Sequence, residues 1–497
     1  MAARTLVFVH GWSVTHTRTY GALPERLAAE ARAAGEELRI EHVWLSRYVS
    51  FHDQVRMSDL AFAMQRAVER DLAAVLKSRE RFAVITHSTG GPVVRTWWYE
   101  YFARRGENCP MSHLIMLAPA NFGSALAQLG KSRVSRLRSW VKGVEPGQGV
   151  LDWLEHGSAE SWNLNEAWIR GQFGDQTGRT VFPFVLTGQS ITRALYDHLN
   201  SYTGEVGSDG VVRAAAANLN ASYVRLQQRG AITGEGIPLQ AVGGAPRAPG
   251  SAFRLIGGAS HWGAERGIME SVPPGAGGPP APVADAIRRC LAVDTPAQYA
   301  RLCRQFGDET LEVSTNERVE VEKIRLLPDR THIHDAMSLV IFRLRDGDGY
   351  PVEDFDLLLT GEGDSPDRLP AGFLADRQRN LRSRNVLTFY FNHAVMVGCP
   401  EVRDPRDPAH VLRDRQRGID VLGLRVTARP AEGFVHYLPA YYRARKPLLD
   451  RLIRAHETAL VDIVLRRVVH KGAFEIHPAT EDRGAFSRVP PGEPLEE

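Results

Sequence analysis

The chain lacks the features that announce several common protein classes. It has four cysteines in 497 residues, Cys109, Cys290, Cys303 and Cys399. No C-x-x-C spacing occurs, so neither a zinc site nor a disulfide framework is signalled. No apolar run reaches the roughly 18 residues that a spanning helix needs. Charge of one sign is not in excess: 61 Lys and Arg stand against 58 Asp and Glu, a net of +3. That balance does not call for nucleic acid or a strongly charged partner. No phosphate-cradling Walker loop is present and no GxGxxG follows the first strand-like run, so no cofactor is expected. "THIHD" (His332, His334, Asp335) and "DGDG" (346–349) are too short to signal a metal site. The start, "MAARTLVFVHGW", has no charged region followed by a separate apolar segment and cleavage site. No secretory signal is therefore expected, and the chain is expected to be cytoplasmic as synthesised, with non-classical export left open.

The sequence does hold two textures. Through about residue 270, short apolar runs alternate with helical patterns. "TLVFVH" (5–10), "RIEHVWLS" (39–46), "FAVIT" (82–86), "LIMLA" (114–118), "FPFVLT" (182–187) and "SAFRLIG" (251–257) read as strands. "PERLAAEARAAG" (24–35) and "SDLAFAMQRAVERDLAAVLKS" (58–78) read as helices, the second with Ser58 as N-cap. Strands interleaved with helices predict an α/β fold, a mostly parallel sheet covered on both faces. The pattern loosens at about 120–180, expected to be a cap insertion. A Pro- and Gly-rich stretch at 270–284 reads as a linker or loop, and helical periodicity returns from about Asp285 to Phe306. From Val319 onward β-like runs follow one another, predicting a β-rich, antiparallel sandwich-like unit over 315–480 and a loose tail over 481–497. The expected division is 1–306 and 315–480.

Chemistry concentrates at "RFAVITHSTGGPVVRTWW" (81–98). A strand feeds a tight turn and then a helix near Gly91, which pushes Ser88 clear of the backbone, with a helix N-terminus behind it. The motif is Thr86-His87-Ser88-Thr89-Gly90, G-x-S-x-G with threonine for the first glycine. A serine nucleophile needs a base, and the base an orienting carboxylate. In the chain order Ser, acid, His, the best histidine is His261 in "GASHWG" and the best acid Asp209 in "GSDGVV". Asp197 in "LYDHLN" is the rival acid, whereas His87 is expected to shape the turn. Oxyanion donors are expected from the backbone N–H of Thr89 and of Trp12, the latter after the His10-Gly11 turn that ends the first strand.

"VFVHGW", "ITHSTGG", "GSDGVV" and "GASHWG", in this order, resemble the α/β-hydrolase superfamily. Within it they are similar to bacterial lipases and to esterases related to lecithin–cholesterol acyltransferase. The resemblance covers about residues 1–270. In those lipases an [SN]-D-G-[VI]-V segment carries the acid, which favours Asp209 over Asp197. It implies carboxylic-ester hydrolysis through an acyl-enzyme, with Ser88 as nucleophile, His261 as base then acid and Asp209 as orienter.

The substrate signal is the basic amphipathic segment 125–143, "ALAQLGKSRVSRLRSWVKG". Lys131, Arg133, Arg136, Arg138 and Lys142 beside an apolar face of Val134, Leu137 and Val141 suit an anionic lipid surface, and equally a solvated cap helix. The expectation is a lipid or phospholipid esterase. The alternatives are a non-catalytic binding protein on a hydrolase scaffold and an amidase or acyltransferase using the same residues. No partner of the β-rich part can be named from the sequence.

Overall fold

The structure is a computed structural model, and it describes residues 4–10, 19–47, 55–129, 148–174, 180–190, 206–322 and 330–470. Eight strands are described up to residue 255: β1 (Arg4–His10), β2 (Leu38–Trp44), β3 (Phe82–His87), β4 (Met111–Leu117), β5 (Phe182–Thr187), β6 (Ala221–Gln228), β7 (Ile237–Val242) and β8 (Ala252–Leu255). Six of them form one sheet in the order β2-β1-β3-β4-β5-β8, parallel throughout.

The continuous apolar runs of these strands follow from burial on both faces. Leu6 and Phe8 of β1 point into a core shared with helices Leu23–Ala33, Pro282–Leu291 and Pro296–Asn316. Val7 and Val9 point the opposite way, into a core shared with helices Met57–Asp71 and Gly90–Tyr101. This is the expected α/β layering.

Two helix boundaries differ from expectation. Met57–Asp71 begins after Arg56, not at Ser58, because the Asp59 carboxylate reaches back to accept the Arg56 N–H at 2.9 Å. The helical stretch expected over 285–306 is two helices. They are divided where Thr295 caps the second one, its hydroxyl accepting the Gln298 N–H, and where Pro296 cannot continue the first.

The β-rich part is present, and its pairing is mixed rather than purely antiparallel. Nine strands run in the order Phe355–Thr360, Val421–Ala428, Ala440–Arg445, β7, β6, Thr458–Leu465, Met337–Asp346, Val386–Asn392 and Leu374–Arg379. Thr458–Leu465 lies parallel to both its neighbours, β6 and Met337–Asp346. Within "LPAYYRARK" (438–446), Ala440–Arg445 pairs antiparallel with Val421–Ala428. The two halves of the sheet are joined in register by the short parallel pairing Ala440↔Ile237 and Tyr441↔Pro238. Phe342, Phe389 and Ile463 at one end share a buried cluster with Leu357, Leu424 and Ala444 at the other. The sheet therefore closes over its own face in a sandwich-like manner.

The second sheet draws β6 and β7 from residues 221–242, well before Val319. Its other face joins the hydrolase core directly: Leu339, Ile341, Tyr390 and Leu460 belong to the same buried cluster as Val93, Trp97 and Val212. Of the 120–180 segment, helices Gln148–Leu154 and Ala159–Ile169 are described. Trp162 is buried there under the Arg343 guanidinium, 4.1 Å from its ring, and the Trp168 indole N–H donates to Leu219 O at 2.9 Å. No helix among the described residues is long and apolar enough to cross a membrane.

Candidate active site

β3 ends at His87 and the next helix starts at Gly90, so the chain reverses over two residues. Ser88 sits in the left-handed region, with φ of 52°. Its N–H donates to Leu117 O at 3.0 Å, which extends the β3–β4 pairing to the corner, and its carbonyl accepts the Gly91 N–H at 3.2 Å. The glycines answer real crowding. A Cβ on Gly91 would stand 2.7 Å from Pro119 Cβ, and one on Gly90 would stand 3.3 Å from Thr86 Cβ. Gly90 thus makes room for the threonine that replaces the first glycine of the motif.

The expected acid and histidine both arrive at this corner. His261 follows β8 through Gly257 and Gly258. Its Nε2 lies 3.0 Å from Ser88 Oγ and its Nδ1 2.8 Å from Asp209 Oδ2. Asp209 and His261 are each 2% exposed and Ser88 is half-buried, so only the serine end of the chain faces outward. The other Asp209 oxygen accepts the N–H groups of Val211 at 3.0 Å and Val212 at 2.8 Å. The His261 N–H donates to the Asp209 carbonyl at 3.0 Å. A carboxylate beside Nδ1 fixes the proton there, leaving the Nε2 lone pair for the serine hydroxyl.

Thr89 is the N-cap of the helix Gly90–Tyr101, and its own N–H makes no hydrogen bond among the described residues. Trp12 lies outside the described residues, as do Asp197 and the cationic stretch 131–142. His10, which precedes the Trp12 turn, is described. It is buried, stacks on Trp44 with 3.6 Å between ring centroids, and has Nε2 2.8 Å from His42 Nδ1. Burial first and the His42 ring second push its pKa down to about 3.

His87 does more than shape a turn. Its Nε2 lies 3.1 Å from the His261 carbonyl, so the ring donates there, and the two imidazoles are 4.6 Å apart. Burial, followed by the neighbouring His261, holds His87 well below the ordinary histidine value, while the bond to the carbonyl opposes this. His87 is a neutral donor clamped on the backbone of the histidine loop. Sequence alone shows its position in the motif but not the loop it grips. Gly188 is a further requirement that sequence reading misses: a Cβ there would stand 1.9 Å from Ala259 O, in the same loop.

No protein-family model matches the chain, and no curated protein does. Solved structures do. Phospholipase PlaB from Legionella pneumophila is 41% identical over 96% of this chain and 98% of its own, with a TM-score of 0.81. The same protein in complex with thio-NAD gives 40% identity, the same coverage and a TM-score of 0.82. A Bacillus licheniformis lipase, BlEst2 in mature form, overlaps 43% of this chain and 79% of its own at 17% identity and a TM-score of 0.30. With two-fifths of its residues shared along nearly the whole length of both chains, this protein belongs to the lipase/esterase-like α/β-hydrolase family that includes PlaB.

Proposed function

We propose that the protein is a serine hydrolase of lipid carboxylic esters, phospholipids first among them, working through Ser88, His261 and Asp209. The observation that carries this reading is the unbroken chain Ser88 Oγ, His261 Nε2, His261 Nδ1, Asp209 Oδ2, with links of 3.0 and 2.8 Å, set at a left-handed serine. Family membership with a phospholipase supports the lipid substrate class.

In this reading His261 Nε2 takes the hydroxyl proton as Ser88 Oγ attacks the ester carbonyl. The Thr89 N–H, at the positive end of its helix, faces the developing oxyanion, and the Trp12 N–H is the second donor. The imidazolium, held by Asp209, then gives its proton to the departing alcohol. Water enters, loses a proton to the same nitrogen as its oxygen bonds to the acyl carbon, and the imidazolium returns that proton to Ser88 Oγ as the acyl–Oγ bond breaks and the fatty acid leaves. Asp209 holds the ring in one orientation throughout, with one oxygen on His261 Nδ1 and the other accepting the N–H groups of Val211 and Val212. The cationic stretch 131–142 is assigned to the anionic lipid surface.

The test is fluorophosphonate labelling and phospholipid-vesicle hydrolysis by wild type, Ser88→Ala, His261→Ala and Asp209→Asn. Labelling confined to chains with Ser88, and fatty-acid release lost in all three variants, is the expected result. Labelling of Ser88→Ala sinks the nucleophile assignment, and cleavage of short soluble esters alone sinks the lipid assignment.

A further inference from the structure

The segment that carries Asp209 leaves the hydrolase sheet after β5 and returns to it only at β8. On the hydrolase side it is held at its tip, where Ser124 Oγ donates to Val211 O at 2.6 Å and His261 N–H donates to Asp209 O. Its base rests on the second sheet. The Tyr390 hydroxyl lies 3.1 Å from Val206 O and 3.2 Å from Gly207 O. Gly207 has φ of 75°, and a Cβ on it would stand 2.7 Å from that hydroxyl and 2.8 Å from Met337 Cγ. Arg213, 1% exposed, pairs with Asp376, and its guanidinium lies 4.2 Å from the Tyr390 ring centroid. Asp376 and Tyr390 are register partners on neighbouring strands, so one spot on the sheet supplies both contacts. The loop closes between them: the Ala214 N–H donates to Gly207 O at 2.9 Å and the Asp209 N–H to Val212 O at 3.2 Å. Gly207 and Arg213 are therefore the two feet of a loop with Asp209 between them.

A buried arginine must have its charge met, and its counter-charge here comes from the second sheet. A tyrosine hydroxyl over two consecutive carbonyls fixes the height of the first foot. Together they determine where the Asp209 carboxylate stands relative to the imidazole, a placement in which displacements of about 1 Å are costly.

We infer that Tyr390, with the Asp376–Arg213 pair, is a positioning clamp for Asp209, so that the β-rich part of the chain completes the reaction centre. The inference rests on the Ser88–His261–Asp209 reading. It assigns the second sheet a role in the chemical step, acting through Asp209, rather than in substrate binding.

The test is a cycle on the full-length protein. Tyr390→Phe, Asp376→Asn and Asp376→Glu are made alone, and Tyr390→Phe is also made in the Asp209→Asn background. Ile463→Val, buried on the opposite face of the same sheet, loosens that sheet without touching the clamp. Circular dichroism and melting confirm that each variant is folded. Turnover is read on p-nitrophenyl butyrate and as the second-order rate of fluorophosphonate labelling, which stays measurable in slow variants. Tyr390→Phe is expected to lower kcat on the order of tenfold with KM nearly unchanged. Asp376→Glu recovers most of what Asp376→Asn loses, and Ile463→Val keeps wild-type kcat. In the Asp209→Asn background, Tyr390→Phe changes the labelling rate less than about twofold, because the group it positions is already disabled. Full turnover of folded Tyr390→Phe, or an equal loss in both backgrounds, overturns the clamp while leaving the triad standing. Wild-type turnover of Asp209→Asn instead overturns the triad assignment, and the clamp with it.

Discussion

Ser88 and His261 are 173 positions apart in sequence, and 3.0 Å separates Oγ from Nε2. The contact requires a left-handed serine, with φ of 52°. A non-glycine residue in that region costs on the order of 1–2 kcal/mol. Ser88→Gly is therefore expected to abolish labelling and to raise stability by about 1 kcal/mol relative to Ser88→Ala, after glycine's larger loss of freedom on folding is counted. Denaturant melts of the two inactive variants measure the difference. A Ser88→Gly protein less stable than Ser88→Ala would mean that the corner stores no such strain.

The threonine at the first motif position gives a second expectation. Thr86 is fully buried and its hydroxyl has no hydrogen-bond partner among the described residues. Thr86→Val keeps the shape and removes an unmade bond, so stability should hold or rise by up to about 1 kcal/mol with activity retained. Gly90→Ala puts a methyl 3.3 Å from Thr86 Cβ and should lower both stability and turnover. Thr86→Gly should rescue it in the double variant. If Gly90→Ala costs the same with glycine at position 86 as with threonine, the two residues are not coupled.

The corner was legible because its signal is local. An apolar strand, a serine between small residues and a helix adjoin one another in sequence, and Ser88 sits where they predict. Asp209 and His261 were legible through chain order and through motifs of the superfamily. The origin of the second sheet was not. Alternation identifies a strand but not its neighbour, and β6 and β7 depart between two strands of the first sheet to pair across a sequence gap of more than 200 residues, as Ala221↔Thr458 does. Tyr390 and Asp376 look like ordinary strand residues until the fold places Arg213 against them.

Asp462 carries an expectation about that sheet. It is fully buried, and its carboxylate lies within 3.2 Å of the Arg225, Arg343 and Arg345 guanidinium groups. Burial alone would raise its pKa. The Arg345 hydrogen bond and the charges of Arg343 and Arg345 outweigh burial and hold it at about 2. Asp462→Asn leaves three cations facing one another and should destabilise by about 2–3 kcal/mol, the arginines' partial access to solvent limiting the loss. Since this carboxylate does not touch the Asp209 loop, kcat per folded molecule should change little. A large fall in kcat with an unchanged melting temperature would contradict that separation.

Acid should unfold the protein by way of buried histidines before it reaches that carboxylate. Burial is the leading cause that pushes His10 and His156 down to about 3 and His113 and His456 down to about 4. In the unfolded chain each titrates near 6.5. Below that pH the unfolded state binds protons that the folded state refuses, so stability falls with falling pH, by up to about 1.4 kcal/mol per pH unit for each such group. The decline begins near pH 6.5 and continues until the folded values are reached. Melting temperatures from pH 8 to pH 4.5 should be level above about 7 and drop steeply below 6. His156 offers the cleanest subtraction. It is fully buried with Nδ1 donating to Phe122 O at 2.8 Å, and asparagine keeps a donor near that place without a titrating ring. His156→Asn should lose some stability at pH 8 but show a shallower acid slope, so that its deficit against wild type narrows towards pH 5. Parallel pH curves for the two proteins would show that His156 is not among the groups that set the acid limit.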